Sequence, residues 1–582
     1  MRSRTLTIAA AACALSACAR NPAPAPSLSP APAPAPAVAS ADSLAFDRFV
    51  TEYADGRRGQ TLAGDTLGWL HQYEASAEEE SAGRAAGLLA RLHGIDTTRL
   101  SVPQRIDWLL VESWLKRTVY DTVLHTATRV PGRYLTLGNL TWRVAGDQPP
   151  TPAEWIGVKT DLARAPRVLA LGRSQLVAPP PLWVRLAAQT ARSYSTFLAD
   201  EFPARVNASA PDSMKAGLLA AGETARAALV AYELFLRDTL TCGADGSWMS
   251  GADYYDWVLR DVNFLPFSAQ TMIAEGRRIH AATKLALDSL AHRLQPGGSN
   301  WHELADHMDD RHPEPGHIIE AYRQASNRVH ELLLRDSLIT IPPGERLTFV
   351  PTPPQLRETY AWGGYGGLAT LRDTIVTGRF FVTDVVPGMS AEEVRQKLRT
   401  QSNGWISVIA LHEGYPGHHL QAVYTRKNPS RVRRMGGNTY YGEGWALYAE
   451  HWMARAGLFA DNPDGQLAQL QMRLWRTARV IIDPSLHTGE MTYAQAVQFF
   501  VDEVGLERTA AEAEVNRFTT WPTQAPSYIV GWLEIERLER DVKAALGARF
   551  NEKDFCEKVL EAGPLPLALL RRAVLYDYGL GS

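Results

Sequence analysis

The sequence contains little cysteine, which limits how the chain can be cross-linked and how it can bind a metal. Its four cysteines are Cys13, Cys18, Cys242 and Cys556. No cysteine-rich metal pattern is present, so a metal site would have to use histidine and carboxylate ligands. Cys242 and Cys556 lie far apart along the chain, and the sequence leaves open a disulfide between them in an oxidising compartment.

An excess of basic residues is lacking too. The chain has 60 Lys and Arg against 63 Asp and Glu, a formal net charge of -3, and no stripe of basic residues with interleaved aromatics. This composition predicts no nucleic-acid partner. The glycines of GGYGG (363–367) are not followed by the Lys and Ser or Thr of a phosphate-binding loop. No internal repeat is clear, which argues against a solenoid.

The N-terminus is typical of a processed segment. Arg2 and Arg4 precede the apolar stretch TLTIAAAACALSA, as in a signal peptide. The segment ends in LSAC (15–18), which resembles a bacterial lipobox. We therefore predict a signal peptide over residues 1–17 and lipidation of Cys18. The alternative is a plain secretory signal that is cleaved after small residues.

The segment that follows predicts how the body is attached. Residues 18–40 are rich in alternating proline and alanine, which favours extended polyproline II and predicts a semi-rigid tether. Ala19 is not the aspartate that typically retains bacterial lipoproteins in the inner membrane. For a Gram-negative host we therefore predict a lipid-anchored envelope protein on the periplasmic face of the outer membrane.

From Ala41 onward, apolar residues recur mostly at intervals of three and four, which predicts a mainly α-helical body. Residues 347–387 break this pattern with glycines and β-forming residues, and they predict a small sheet or hairpin. A soft boundary near residues 340–346 would separate a helical lobe (41–345) from a mixed lobe (346–582). The predicted helices cover residues 41–56, 103–124, 212–240 with Asp212 as N-cap, 267–295, 315–338, 391–426, 442–457, 463–482 and 528–547.

The stretch HEGYPGHHLQ (412–421) carries the strongest chemical signal. His412 and Glu413 begin the H-E-x-x-H pattern of zinc proteases, in which the histidine binds metal and the glutamate takes a proton from water. The second histidine of that pattern is replaced by Pro416. We interpret Pro416 and Gly417 as a break that lets a later histidine return to the metal.

Two adjacent histidines compete for the place of the second ligand. In a straight helix, His418 would be rotated roughly 120° from His412, and His419 would lie on the same face but about 10.5 Å away. Neither position suits one metal without distortion. We favour His418, with His419 as the alternate ligand or as a residue that supports the ligands.

The stretch YYGEGWALYAEHW offers the carboxylates. Glu443 and Glu450 are seven residues apart and share one helical face among aromatic and apolar neighbours, where unpaired carboxylates are costly. We predict that Glu443 is the third ligand and that Glu450 orients a histidine ring. Solvated helix charges are the alternative.

Further site candidates are weaker when judged from the residues alone. Tyr528 lies after a proline-rich loop at a predicted helix start, where its hydroxyl could donate to an oxyanion, although a core tyrosine is equally compatible. His487 is a candidate site histidine or a structural one. Arg479 and Asp483 are four residues apart and could simply pair on a helix.

Four motifs together resemble the large bacterial family known as domain of unknown function 885: HEGYPGHHLQ (412–421), EGWALYAEHW (443–452), DPSLH (483–487) and QAPSYIVG (524–531). The resemblance covers most of the chain after the tether. Members are similar to zinc metallopeptidases with two histidines and a distant glutamate. This implies a gluzincin-like fold, in which a large helical body holds a deep cleft with a small β element at its edge.

The resemblance also implies roles for particular residues. Tyr528 would be the tyrosine that stabilises the transition state. By analogy with such peptidases, GRFFVTDV (378–385) would be the edge strand that pairs with an extended peptide.

These observations lead to a zinc-dependent hydrolase as the main functional prediction, and more narrowly to a peptidase at the cell envelope. His412, His418 and Glu443 would hold Zn²⁺, Glu413 would be the general base, and Tyr528 would stabilise the oxyanion. The first alternative is a lipoprotein that binds peptides or envelope components without hydrolysing them. The second is a non-haem iron site, which also uses two histidines and a carboxylate.

Overall fold

The computed structural model describes residues 40–62, 68–144, 149–297, 300–352, 362–368, 376–385 and 389–581. The predicted signal peptide, lipidated Cys18 and tether lie outside the described residues. Ala41–Ser582 forms one compact unit. The fold is mainly α-helical with one small sheet, which confirms the predicted fold class at that level. None of the described helices combines the length and the apolar character needed to cross a membrane.

The N-terminal half of the unit consists of helices. They are α1 (Ala41–Leu62), α2 (Gly68–His71), α3 (Ala75–His93), α4 (Val102–Tyr120), α5 (Thr126–Arg129), α6 (Gly138–Val144), α7 (Pro152–Gln175), α8 (Pro181–Ala199), α9 (Glu201–Ser209), α10 (Asp212–Asp238), α11 (Ala252–Trp257), α12 (Ala269–Leu294), α13 (Trp301–Asp309) and α14 (Ile318–Arg335). The prediction that Asp212 is the N-cap of α10 is wrong. Pro211 occupies the N-cap position, and Asp212 is the first residue of the helix.

The C-terminal half contains the sheet and ten more helices. The strands are β1 (Glu345–Pro351), β2 (Gly363–Leu368) and β3 (Val376–Val382). The helices are α15 (Ala391–Arg399), α16 (Asn403–Glu413), α17 (His418–Lys427), α18 (Thr439–Arg455), α19 (Pro463–Thr488), α20 (Tyr493–Phe499), α21 (Arg508–Thr520), α22 (Ser527–Leu546), α23 (Glu552–Ala562) and α24 (Leu567–Asp577).

The sheet has the strand order β1-β3-β2, with β1 parallel and β2 antiparallel to β3. The small sheet predicted over 347–387 is therefore confirmed. The prediction that residues 378–385 form its edge is wrong, because β3 is the central strand. Strand order depends on long-range pairing, which local β-propensity does not specify.

The predicted helix over residues 391–426 is three helices. Ser390 caps α15 and Glu393 reaches back to it, the capping box that the sequence predicts. Helix α16 is buried almost all round and packs against α14, α18 and α19. Its position in the interior explains why its sequence lacks a polar face.

Two large hydrophobic cores stabilise the described part of the unit, beside a small cluster of Tyr254, Val258 and Val262. The smaller of the two large cores belongs mainly to helices α7–α10, which we call the apolar bundle, and includes Trp155, Leu162 and Leu229. The larger core surrounds α16, α18, α19 and α22. Helix α12 packs along α19, so helices on both sides of the boundary predicted near residue 345 share this larger core.

Candidate metal centre

The chain breaks between α16 and α17 at the place where the zinc-protease pattern is interrupted. Helix α16 ends at Glu413, the Tyr415–Pro416 peptide bond is cis, and α17 begins at His418. A Cβ atom on Gly417 would lie 1.9 Å from the carbonyl oxygen of His412, so only glycine fits there. The indole of Trp445 on α18 donates to the Pro416 carbonyl at 2.9 Å and fixes the turn from outside.

This break brings His418 beside His412. Their ring centroids are 4.8 Å apart and the rings are nearly perpendicular. His412, Glu413 and His418 each offer an atom that could bind metal, and these atoms lie within 4.8 Å of one another. Separate helices therefore bring together residues that a straight helix would keep apart.

Glu443 on α18 lies beside both histidines. Its Oε2 lies 3.2 Å from His418 Nε2 and 3.5 Å from His412 Nε2. Burial alone would lower the pKa of His418, but the Glu443 carboxylate outweighs it and raises that pKa to about 9. Burial opposes ionisation of Glu443, yet the two histidines hold its pKa well below the usual range. We call His412, His418 and Glu443 the histidine–glutamate group.

Glu450 and Arg476 form a buried ion pair that contacts His412 on its Nδ1 side. Glu450, fully buried two turns after Glu443, has its Oε1 2.8 Å from His412 Nδ1. A carboxylate only accepts, so this contact places a proton on Nδ1 and makes Nε2, on the Glu443 side, the ring nitrogen that could bind a metal. Arg476 on α19 lies 3.0 Å from Glu450 Oε1 and neutralises it. Glu450 therefore lies where the sequence analysis expects a residue that orients the ring.

Strand β2 holds Glu413. The backbone N–H of Tyr365 donates to Glu413 Oε2 at 2.8 Å. This contact leaves Glu413 Oε1 for another partner and fixes the carboxylate beside the two histidines.

His419 points away from the histidine–glutamate group. Its Nε2 lies 2.5 Å from Glu345 Oε2 on β1, and its Nδ1 lies 3.4 Å from the Tyr365 hydroxyl. A Cβ atom on Gly378 would lie 2.3 Å from His419 Nδ1, so β3 leaves room for this ring only because it has glycine there. Of the two competing histidines, the structure places His418 with His412, whereas His419 connects α17 to the sheet.

Tyr528 lies at the start of α22, beside the same group. Its ring is 6.3 Å from that of His412, and the guanidinium of Arg479 lies 4.5 Å from its centroid. Burial raises the pKa of Tyr528, which keeps its hydroxyl protonated at neutral pH. Within the described part of the chain, no hydrogen bond engages this hydroxyl. It therefore remains able to donate.

His487 belongs to a different set of residues. Its Nδ1 accepts from the Ser250 backbone N–H at 3.2 Å, and its Nε2 lies 3.1 Å from the Phe518 carbonyl oxygen. Asp483 uses its Oδ2 to accept from the Tyr255 hydroxyl and from the backbone of Thr523. With both ring nitrogens engaged, His487 connects α19 to its neighbours and does not join the histidine–glutamate group.

Several residues that support this group were not predicted from the sequence. Arg476, Tyr365 and Glu345 come from α19 and from the sheet, and Arg479 pairs with Glu514 at 2.8 Å and not with Asp483. Arg473, Thr477 and Arg479 lie close to Arg476 along the chain, so no apolar run marks its burial in the sequence. The contact made by the Tyr365 backbone has no signature in the sequence.

The two cysteines of the body do not pair. Cys242 is exposed, Cys556 is buried, and both thiols are free. The disulfide between Cys242 and Cys556, which the sequence left open, is therefore not formed.

Comparison with known proteins agrees with the resemblance in the motifs. The chain matches none of the curated proteins at a significant level. A solved chain from Shewanella oneidensis, described as "a putative lipoprotein of unknown function", superposes with a TM-score of 0.70 at 20% identity and covers 92% of this chain and 100% of its own. The "putative lipoprotein" from Colwellia psychrerythraea gives 0.74 at 17% identity over 93% and 98%. At these identities the likeness shows a shared fold.

The sequence profile of one family matches residues 59–574, which is most of the chain. The match includes every residue of the histidine–glutamate group. The chain therefore belongs to the family described as bacterial protein of unknown function DUF885.

Proposed function

We propose that this protein is a zinc-dependent hydrolase that cleaves peptides at the cell envelope. The observation that carries the proposal is the spacing within the histidine–glutamate group. With metal–ligand bonds of about 2.0–2.2 Å, the ligand atoms around a tetrahedral zinc lie about 3.3–3.6 Å apart. Glu443 Oε2 lies 3.5 Å from His412 Nε2, within this range, and 3.2 Å from His418 Nε2, just below it, so these spacings suit the ion.

The donor set supports a catalytic ion over a structural one. Three protein ligands, two imidazoles and one carboxylate, leave one position of a tetrahedral zinc site open. A zinc ion bound there would acidify a water molecule and polarise a carbonyl group. The proton now shared between His418 and Glu443 would be released on binding, because both ligands bind metal in their deprotonated forms.

Glu413 is the general base in this proposal. The Tyr365 N–H holds its Oε2, so Oε1 is the atom that would take a proton from the attacking water and pass it to the leaving amide nitrogen. The Glu413 carboxylate lies within 4.8 Å of the potential ligand atoms of His412 and His418, which would place it beside the reacting centre.

Tyr528 would stabilise the oxyanion of the tetrahedral intermediate. Its hydroxyl is protonated, is not engaged by a described side chain, and lies on the His412 side of the group. Arg479 and Arg476 face its ring and restrain it, so the donor is oriented before substrate arrives.

An extended peptide is the substrate that best suits the sheet. In the described chain no second strand covers the outer side of β2, and β2 borders the histidine–glutamate group through Tyr365 and Glu413. A peptide can add to such an edge through main-chain hydrogen bonds. The strand that would pair with the peptide is therefore β2 and not the strand expected at 378–385.

The location at the envelope is part of the same proposal. The lipobox-like LSAC at 15–18 would provide the lipid anchor at Cys18, and the two structurally similar chains are each described as a "putative lipoprotein". Residues 18–40 would separate the anchor from the catalytic body.

The test combines metal analysis with a peptide digest. Purified protein is expected to hold about one zinc per chain. In a peptide-library digest followed by mass spectrometry, Glu413→Gln should lose at least ~100-fold in kcat/KM while it retains zinc and its circular-dichroism spectrum. Glu392→Gln, a change at an exposed glutamate of α15, is the control and should cleave as the wild type does.

Four results would refute the proposal. Protein without metal would remove the catalytic ion, and a fully active Glu413→Gln would remove the general base. Peptide binding by zinc-loaded protein without any cleavage would identify a binding lipoprotein instead. Iron in place of zinc would indicate a non-haem iron site.

A further inference from the structure

A cleft leads from the histidine–glutamate group across the surface of α17 and the segment that follows it. The cavity measures about 800 Å³ and is open to solvent. Two arginines and no carboxylate occur among its lining residues, which include Tyr365, His418, Gln421, Thr425, Arg426 and Arg434. We call it the arginine cleft.

Helix α17 gives the cleft its direction. His418, Ala422 and Arg426 follow one another at intervals of four residues, so they lie along one helical face of α17. His418 belongs to the histidine–glutamate group, and Arg426 lies eight residues further on. At 1.5 Å per residue, the two Cα atoms are about 12 Å apart along the axis. That distance corresponds to roughly three or four residues of extended peptide.

The two arginines of the cleft lack the carboxylate partners that their neighbours have. Arg431 pairs with Asp55 at 2.6 Å, and Arg433 pairs with Asp107 at 2.7 Å. Arg426 and Arg434 are both exposed, and across the described ranges neither of them forms an ion pair. Two uncompensated positive charges in one cavity favour an anion inside it.

Arg434 is also anchored at the wall of the cleft. Its Nη1 donates to the backbone carbonyl oxygens of Asn428 and Pro429. The anchored nitrogen leaves Nη2 and Nε of the planar guanidinium for a ligand, and that pair of donors matches a carboxylate. An arginine that is already oriented loses less conformational entropy on binding.

We propose that Arg426 and Arg434 form a subsite for a carboxylate of the peptide substrate, about three residues from the bond that is cleaved. The inference rests on the proposed peptidase function, because the distance is counted from the histidine–glutamate group. The carboxylate is either the C-terminal group of a short peptide or the side chain of an aspartate or glutamate. Both have the planar, bidentate chemistry that arginine recognises.

The experiment uses matched peptides on the full-length protein. Each sequence of a short-peptide library is made with a free C-terminal acid and with an amide, and with Glu or Gln at each of the last four positions. Cleavage by the wild type is read by mass spectrometry, and binding of the same labelled peptides to zinc-loaded Glu413→Gln is read by fluorescence anisotropy. The variants are Arg426→Gln, Arg434→Gln and the double change. Lys427→Gln, at an exposed residue of α17 outside the cleft, is the matched control.

We expect the double variant to lose about tenfold in kcat/KM and in affinity for the acidic peptides, and little for the neutral ones. Added salt should reduce the preference of the wild type, because the arginines are exposed. Lys427→Gln should retain the preference. A preference for free acid over amide identifies the C-terminal group, and a preference for Glu over Gln within amidated peptides identifies a side chain.

The outcomes separate this inference from the function on which it rests. Cleavage without a preference for acidic peptides, or a preference that survives in the double variant, overturns the subsite and leaves the peptidase. Acidic peptides that bind through the two arginines but are not cleaved support the subsite and overturn the peptidase. The absence of both binding and cleavage overturns both.

Discussion

The apolar bundle and the region around α16, α18 and α19 bury different kinds of side chains. Among the described side chains of residues 134–240, every one that is buried is apolar. The region around α16 buries His412, Glu450, Arg476, Arg479 and Asp483. Burying a charge costs free energy unless the charge is paired. The region around α16 therefore holds its polar groups in place at a cost in stability. In the proposed function, the bundle supplies stability and the region around α16 supplies the chemistry.

The largest expected effect is loss of the buried charge pair behind His412. Glu450→Ala leaves Arg476 buried without its partner, and we expect the free energy of unfolding to fall by about 3–5 kcal/mol. Zinc affinity should also fall, because His412 loses the carboxylate that orients it. Urea titration and zinc content measure the two effects.

A double variant sharpens this result. Glu450→Met with Arg476→Met removes both charges, so it should recover much of the lost stability without recovering zinc affinity. A single Glu450→Ala variant as stable as the wild type would contradict the view that this region is electrostatically costly.

The next effect tests the apolar bundle. Leu162 on α7 is fully buried, and Leu162→Ala should cost about 3 kcal/mol of unfolding free energy through lost burial and a cavity. Its kcat should match that of the wild type at a temperature where both are folded. Leu234→Ala, at a 44% exposed leucine of α10, is the control and should cost less than about 1 kcal/mol. A large drop in kcat for Leu162→Ala would show that the two regions are not independent.

A smaller effect links packing to the histidine–glutamate group. Helices α18 and α22 touch backbone to backbone, and a Cβ on Gly444 would lie 2.4 Å from the Cα of Gly531. Gly444→Ala should therefore cost about 1–3 kcal/mol and reduce kcat/KM, since it pushes Tyr528 away from Glu443.

Gly442 provides the matched control for that change. Nothing lies within 4 Å of a Cβ placed on Gly442, so Gly442→Ala in the same helix should not destabilise the protein. Equal losses in the two variants, measured by urea titration, would refute the close-packing explanation.

The smallest effect concerns the surface of the bundle. Arg192 pairs with Glu233 at 2.6 Å, but the arginine side chain is 64% exposed. Arg192→Gln should change the unfolding free energy by less than about 1 kcal/mol, and added salt should reduce even that. A loss near that of Leu162→Ala would mean that the bundle depends on its surface charges as well as on its core.

Much of the fold could be predicted from local patterns. The intervals between apolar residues located most of the long helices, and the glycines and β-forming residues located the sheet. The prediction of one continuous helix between residue 391 and the break at Pro416 and the predicted edge at 378–385 were wrong for a common reason. Both depend on where the chain turns back on other segments, and local propensity carries no information about that.

The sequence by itself determined the parts of the candidate site that lie within one element. His412 and Glu413 are consecutive, and Glu443 and Glu450 share a face of α18, because helical geometry fixes both relations. Only the tertiary structure decided that His418 and not His419 meets His412, that Arg476 stands behind Glu450, and that Arg426 and Arg434 share a cleft. These contacts join residues from different elements, and packing between elements, not spacing along the chain, sets their distances.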